Sequence, residues 1–392
     1  MKIALVCPAS LPATQFGGIM FLFIHLAKHI SNLGNDVTIY TTDLDFANNV
    51  NTFNRKLPRE EKIENFLIKR THVWISIYLF FVNPGMYKQM LNDNFDIIHS
   101  IGVRSFQSII AAIISKKKKI PLIISDQGGL TTHPDIKKSS FFKKLLIKFQ
   151  NIFLKLIINQ ASKIIVANEY EKNIFLNFCD EKKIVIISNG IDLNEIYSSK
   201  IDFKSKYDIS KNYLLFLGRF HIVKGIDILI EAIDIIKHNL EEKNIQVILM
   251  GVNFGYEKEL LNLIKIKNLS HIITVIKNPS REDVLAAYKQ SEFLILPSRW
   301  ELSPLTPLEG FAFKKTVIST NAHGIPFTLE NEKNSILVEP ENSFELAQSV
   351  LRLLNDKKLA QKFGESGYKL VHTTRNSDYV IKRVFQEYQS II

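Results

Sequence analysis

The chain is poor in cysteine. Only Cys7 and Cys179 carry a thiol in 392 residues, and they stand far apart. This excludes a disulfide framework and a thiolate metal site, and it suits a reducing compartment. Long apolar runs are also missing. The nearest approach, Trp74 to Val82, stops at Asn83 and Pro84, short of the roughly 18 residues that a membrane-crossing helix needs. The first apolar run, Ile3 to Cys7, is too short for a secretory leader, so the expected location is cytoplasmic. Acidic residues are scarce relative to basic ones, 39 against 50, which leaves a net charge of +11. That field attracts nucleic acid, anionic membrane or phosphorylated ligands without selecting among them. There is no short internal repeat. There is also no G-x-G-x-x-G, which argues against a simple NAD domain.

What is present is alternation. Short apolar runs, KIALVCP, DVTIYTT, DIIHS, PLIISD, KIIVANE and KIVIISNG, are separated for the most part by helical patterns such as GGIMFLFIHLAKHISNLG. The pattern restarts with NYLLFLGRF and continues through IQVILMG, HIITVIK, SEFLILPS and TVIST, again with helices between. Buried strands alternating with helices predict a parallel sheet covered on both faces. The length predicts two such domains at about 150 residues each. The polar stretch Leu193 to Asn212 marks the boundary. Two doubly wound α/β domains would take ligands at the carboxyl ends of their strands.

Three places carry the chemistry. Gly17 and Gly18 follow the first strand and open the first long helix, where backbone can approach a phosphate closely. Arg219 and Lys224, in GRFHIVKGID, follow a buried strand and precede a helix, as a diphosphate clamp would. Glu301 and Glu309, in ELSPLTPLEG, stand at another strand end beside a helix start. As ionised acceptors they suit the hydroxyls of a sugar or ribose. Each place also has a plain reading: a turn, two solvated cations, a pair of helix caps.

Taken in order, these segments resemble glycosyltransferase family 4, the retaining, nucleotide-sugar-dependent enzymes of GT-B fold. The resemblance rests on QFGGIM, NGID at Asn189 to Asp192, GRFHIVKGID, LPSRWELSPLTPLEGFAF and NSILVEP at Asn334 to Pro340, with two glutamates separated by seven residues after LPS. It implies two Rossmann-like domains facing across a cleft. Residues 1–200 would bind the acceptor, residues 201–375 the nucleotide sugar, and 376–392 would form a helix crossing back to the first domain. Arg219 and Lys224 would bind the donor diphosphate and stabilise the leaving nucleotide. Glu301 would contact the donor sugar near the reacting centre, and Glu309 would hold the ribose. Gly17, Gly18, Ser303, Leu305 and Thr306 complete the implied donor site. No cofactor is expected. No D-x-D pair stands beside the diphosphate site, and its cations already supply the positive charge. The donor would be a UDP- or GDP-sugar and the acceptor a lipid-linked or membrane-surface glycan. Two other readings stay open, a sugar-nucleotide epimerase of the same fold and a basic nucleic-acid-binding protein. The glutamate spacing and NGID favour the transferase, and nucleic acid is not an expected partner because no recognisable binding module accompanies the charge.

The sequence departs from the family pattern twice. The turn after the first glutamate is usually glycine-containing; here it reads Glu301-Leu302-Ser303-Pro304, and Pro304 has no N–H to offer a sugar hydroxyl. Where many relatives carry a histidine, the chain has Gln127, which cannot act as a base. Gln127, Asp126 and His133 are the candidates to bind the acceptor, with Asp126 or His133 left to assist its deprotonation, unless these two are a turn cap and a loop residue. His99 reads as structural.

From Lys137 to Lys163 there are seven lysines and no acidic residue. Helical spacing places Phe142, Leu145, Phe149, Phe153 and Leu156 on one face, with Lys144, Lys148 and Lys155 near the opposite one. This is either a surface helix with its apolar face in the core or one that lies on an anionic membrane, holding the enzyme peripherally at its cytoplasmic face.

Overall fold

The structure, a computed structural model, describes residues 1–13, 18–46, 52–77, 80–126, 130 and 141–392. Three of the candidate site residues, Gly17, Gln127 and His133, lie outside these. The chain divides into two compact units, Met1–Ser188 with Ser377–Ile392, and Asn189–Asn376.

The first unit is built on an eight-stranded sheet. Its spatial order is Ile184–Ile186, Lys163–Val166, Leu122–Ser125, Ile97–Ile101, Lys2–Val6, Asp36–Thr42, Phe66–Thr71 and Glu60–Ile63. All pairs are parallel except the last. The continuous apolar run of the first strand follows from burial on both faces. Ala4 and Val6 enter one core, while Ile3 and Leu5 enter the other. The strand Phe66–Thr71 goes unnoticed in the sequence because FLIKRT is half polar; its Arg70 is buried and ion-paired with Glu61. Within the run Trp74 to Val82, Ile75–Ile77 pairs antiparallel with Phe80–Val82.

The helix Ser377–Gln389 belongs to this first unit. Val380, Ile381, Val384 and Tyr388 share a core with Ile3, Leu5 and Phe23. Tyr388 Oη lies 2.6 Å from His99 Nδ1, and Ser125 Oγ lies 2.7 Å from His99 Nε2. Burial pushes the His99 pKa from its ordinary 6.5 down to about 3. The imidazole is a neutral fastener between sheet and helix.

The basic segment forms the helix Phe141–Gln160. The apolar face drawn from the sequence is buried only in part: Phe153 and Leu156 pack half-buried against the core. Leu154, Ile157 and Ile158 are buried, whereas Leu145, Phe149 and Ile152 are 55%, 47% and 69% exposed. The core meets the helix to one side of the phenylalanine stripe, a choice that periodicity cannot make in a helix apolar on several sides. Lys148 and Lys155 are exposed beside that stripe. The side chains of Phe142 and Lys144 lie outside the described residues. Among the described residues no helix is long and apolar enough to cross a membrane.

The second unit carries six parallel strands in the order Ile273–Lys277, Ile245–Gly251, Asn212–Leu217, Leu294–Leu296, Val317–Thr320, Ser335–Val338. It begins ahead of the polar stretch Leu193 to Asn212. Ile191 pairs with Asn376 and is buried in this unit's core, together with Ile196, Phe203 and Ile209. The polar residues between them cap short helices: Asp192 accepts from Asn194 N and Glu195 N, and Asp202 from Ser205 N.

Candidate functional site

Counted along the second unit, the strands lie in the order third, second, first, fourth, fifth, sixth. The first and fourth are neighbours, joined at Leu215 and Leu294. Connections leave them in opposite directions, so a crevice opens outside their carboxyl ends. Lys224 follows the first strand and Glu301 the fourth, and here they meet. Lys224 Nζ pairs with Glu301 Oε1, with both side chains largely withdrawn from solvent. Around the pair lies a recess of about 300 Å³, part of it open to solvent, lined among others by Phe216, Ser298, Pro304, Thr306 and Ser319.

Local backbone brings the two charges together. Gly225 has φ +65°, and a β-carbon there would fall 1.9 Å from the Pro297 carbonyl oxygen. Only glycine allows the Lys224 turn to press against the LPS strand end. The seam is closed by Arg299, whose backbone N–H donates to Val223 O at 2.8 Å. Its guanidinium donates to both oxygens of Asp227 at 2.6 and 2.7 Å, and also to Glu341. Arg299 and Asp227 fall inside the quoted motifs, but the motif reading gives neither a role. A bidentate arginine pair can be recognised only once its partner is known.

Glu309 lies in the short helix Thr306–Ala312, just beyond the turn. Its Oε1 accepts from Arg281 Nη2 at 2.7 Å, and its Oε2 from Tyr288 Oη at 2.9 Å. Arg281 also donates to Glu195 at 2.8 Å. Burial works against the charge on Arg281, but the carboxylates of Glu309 and Glu195 outweigh it, so its pKa rises above the ordinary value. Glu309 is therefore a fixed acceptor with spare lone pairs rather than a free helix cap. Arg281 and Tyr288 come from a helix some twenty residues upstream, and nothing in their local sequence marks them.

The other donor-site candidates are placed as follows. Arg219 is exposed, its guanidinium 5.0 Å from the centroid of the Phe254 ring. It does not line the recess, whereas Thr306 does. The Ser303 carbonyl accepts from Asn189 Nδ2 at 3.4 Å, and the Leu305 carbonyl accepts from Glu309 N at 3.0 Å. NGID thus braces the glutamate-bearing turn through Asn189 and caps a helix through Asp192. In the first unit Gly18 opens the helix Gly18–Asn32. Asp126 is buried at the end of Leu122–Ser125 and accepts from Val103 N at 3.1 Å and Leu130 N at 2.7 Å.

Residues 16–195 match the family model Glycosyltransferase Family 4, and residues 198–370 match Glycosyl transferases group 1. An uncharacterized glycosyltransferase of Methanocaldococcus jannaschii is 30% identical over 278 residues, 70% of this chain and 70% of that protein. The chain is a glycosyltransferase of the group 1, family 4 type. As such it is a transferase that uses nucleotide sugars. The UDP-Gal:alpha-D-GlcNAc-diphosphoundecaprenol alpha-1,3-galactosyltransferase of Escherichia coli is 26% identical over 314 residues, 76% of each chain. The crystal structure of Anabaena Alr3699/HepE in complex with UDP and glucose superposes with TM-score 0.77 at 18% identity, covering all of both chains. That likeness supports the GT-B fold for this glycosyltransferase, and the strand orders of its two units agree with it. The transferase reading is favoured over the epimerase and nucleic-acid readings.

Proposed function

We propose that this glycosyltransferase moves a hexosyl group from a UDP- or GDP-sugar, with retention at the anomeric carbon and without a metal ion, to a hydroxyl of a lipid-linked or membrane-surface glycan. The observation that carries the reading is the meeting of Lys224 and Glu301 at the switch point of the second sheet, with Glu309 in the helix that follows. Lys224, with Arg219 near it in sequence, meets the donor diphosphate and the charge that grows on it as the glycosidic bond breaks. Glu301 accepts from the donor sugar's hydroxyls, and Glu309 from the ribose. Ser303, Leu305 and Thr306 offer backbone or hydroxyl groups to the same ligand, while Pro304 withholds one amide. Asp126 contributes to acceptor binding from the carboxyl end of its strand.

The membrane part rests on the helix Phe141–Gln160, which presents Leu145, Phe149 and Ile152 to solvent beside Lys148 and Lys155. Apolar groups flanked by cations suit an anionic bilayer surface. The Escherichia coli relative is named for a diphosphoundecaprenol-linked acceptor. The test is a screen of nucleotide sugars scored by released nucleoside diphosphate, with chelator present, followed by NMR of the product's anomeric configuration. Release from a UDP- or GDP-sugar and a product anomer matching the donor are expected. An inverted product would overturn retention, and activity abolished by chelator would overturn the metal-free mechanism.

A further inference from the structure

We infer that Glu301 makes the donor site select nucleotide sugar over free nucleoside diphosphate, by competing with the diphosphate for Lys224. The inference rests on the roles proposed above for Lys224 and Glu301. The two side chains satisfy each other in the structure, at 17% and 19% exposure, and Ser298 Oγ stands 3.5 Å from the same Glu301 oxygen. A diphosphate can take Lys224 only by breaking that pair. Separating a partly buried pair leaves a carboxylate short of partners, and such a loss is costly.

The two ligands then differ in what they return to Glu301. A nucleotide sugar brings hydroxyl donors with its diphosphate, so the ammonium exchanges a carboxylate for phosphate while the carboxylate exchanges an ammonium for hydroxyls. A nucleoside diphosphate supplies the first exchange and not the second. Pocket groups that only the right ligand satisfies are a strong source of discrimination, because the wrong ligand leaves them unpaired. The same exchange bears on turnover. The departing diphosphate carries one more negative charge than it did in the donor, which tightens its hold on Lys224. Once the sugar has moved to the acceptor, Glu301 loses its hydroxyl partners and returns to Lys224, offsetting that grip and helping the product leave.

The experiment is calorimetric titration of wild type, Glu301→Gln and Glu301→Asp with UDP and with GDP, using whichever binds, alongside product inhibition with the matching nucleotide sugar. Glutamine keeps the shape and removes the competing charge. Glu301→Gln should bind the nucleoside diphosphate about tenfold more tightly than wild type, with a product-inhibition constant lowered to match, and Glu301→Asp should fall between. Unchanged or weaker binding by Glu301→Gln, with its thermal unfolding intact, overturns the competition. Lys224→Ala separates this from failure of the underlying reading. If Lys224→Ala binds nucleoside diphosphate as tightly as wild type, Lys224 is not a diphosphate ligand, whatever Glu301 does.

Discussion

In the proposed mechanism Lys224 faces more negative charge during the reaction than before it. Removing a preorganised charge of this kind costs about 2.7–4 kcal/mol of barrier. Lys224→Ala should therefore lower kcat more than it weakens donor binding. Equal losses in kcat/KM and donor affinity, with kcat intact, would instead indicate uniform binding. Arg219→Ala should act in the same direction and less strongly, because Arg219 is exposed and stacked on Phe254 rather than set in the recess. Glu309 differs, since its geometry is already fixed by Arg281 and Tyr288. Glu309→Gln gives up charge-assisted bonds worth about 1.5–3 kcal/mol each. Donor affinity should fall by at least tenfold while kcat at saturating donor changes little. Calorimetry that shows unchanged affinity would return Glu309 to a purely structural part in its network.

At the scale of elements, the helix Phe141–Gln160 makes the clearest demand on experiment. Its inner face is committed to the core through Leu154, Ile157 and Ile158, so its exposed stripe is surplus to folding. Each lysine near an anionic surface contributes about 1 kcal/mol. Replacing Lys148 and Lys155 with glutamine should weaken binding to phosphatidylserine-containing vesicles about thirtyfold at low salt, with thermal stability almost unchanged. Wild-type protein that stays in the supernatant on vesicle co-sedimentation, at low and high salt alike, would remove the membrane from the proposal. The short elements around Lys224 show the opposite economy. The turn at Gly225 and the Arg299–Asp227 pair leave little freedom, which is what a site holding two opposed charges requires.

On the scale of the whole molecule, the C-terminal helix is joined to the strand Ile97–Ile101 through His99 and Tyr388, and it shares a core with the first strand. His99 is neutral in the folded protein, with a pKa near 3 against an ordinary 6.5. Between those values the unfolded chain binds a proton that the folded chain refuses. The stability contributed by this group is complete above pH 6.5 and is lost as pH falls toward 3. Across that window the wild type should lose about 1.4 kcal/mol per pH unit more than a His99→Gln variant. Urea unfolding of both proteins at several pH values checks this, and parallel pH profiles would show that His99 titrates normally.

By itself the sequence determined the class of the molecule. Apolar strands alternating with amphipathic helices can bury both faces only as parallel sheets under helices. The ordered segments from GRFHIVKGID to TPLEG placed Lys224 and Glu301 at strand ends, where side chains of that charge have a use. Local signals carried this much because strand burial, glycine turns and motif order are properties of neighbouring residues. The remainder depended on contacts between residues far apart in the chain. Tertiary packing chose which side of the helix Phe141–Gln160 faces the core, and it drew the half-polar strand Phe66–Thr71 into the sheet. It also brought Arg281 and Tyr288 onto Glu309, locked Arg299 onto Asp227, and set Lys224 against Glu301. An ion pair is a property of two places at once. Until the fold brings those places within a few ångströms, each charge reads as an ordinary solvated side chain.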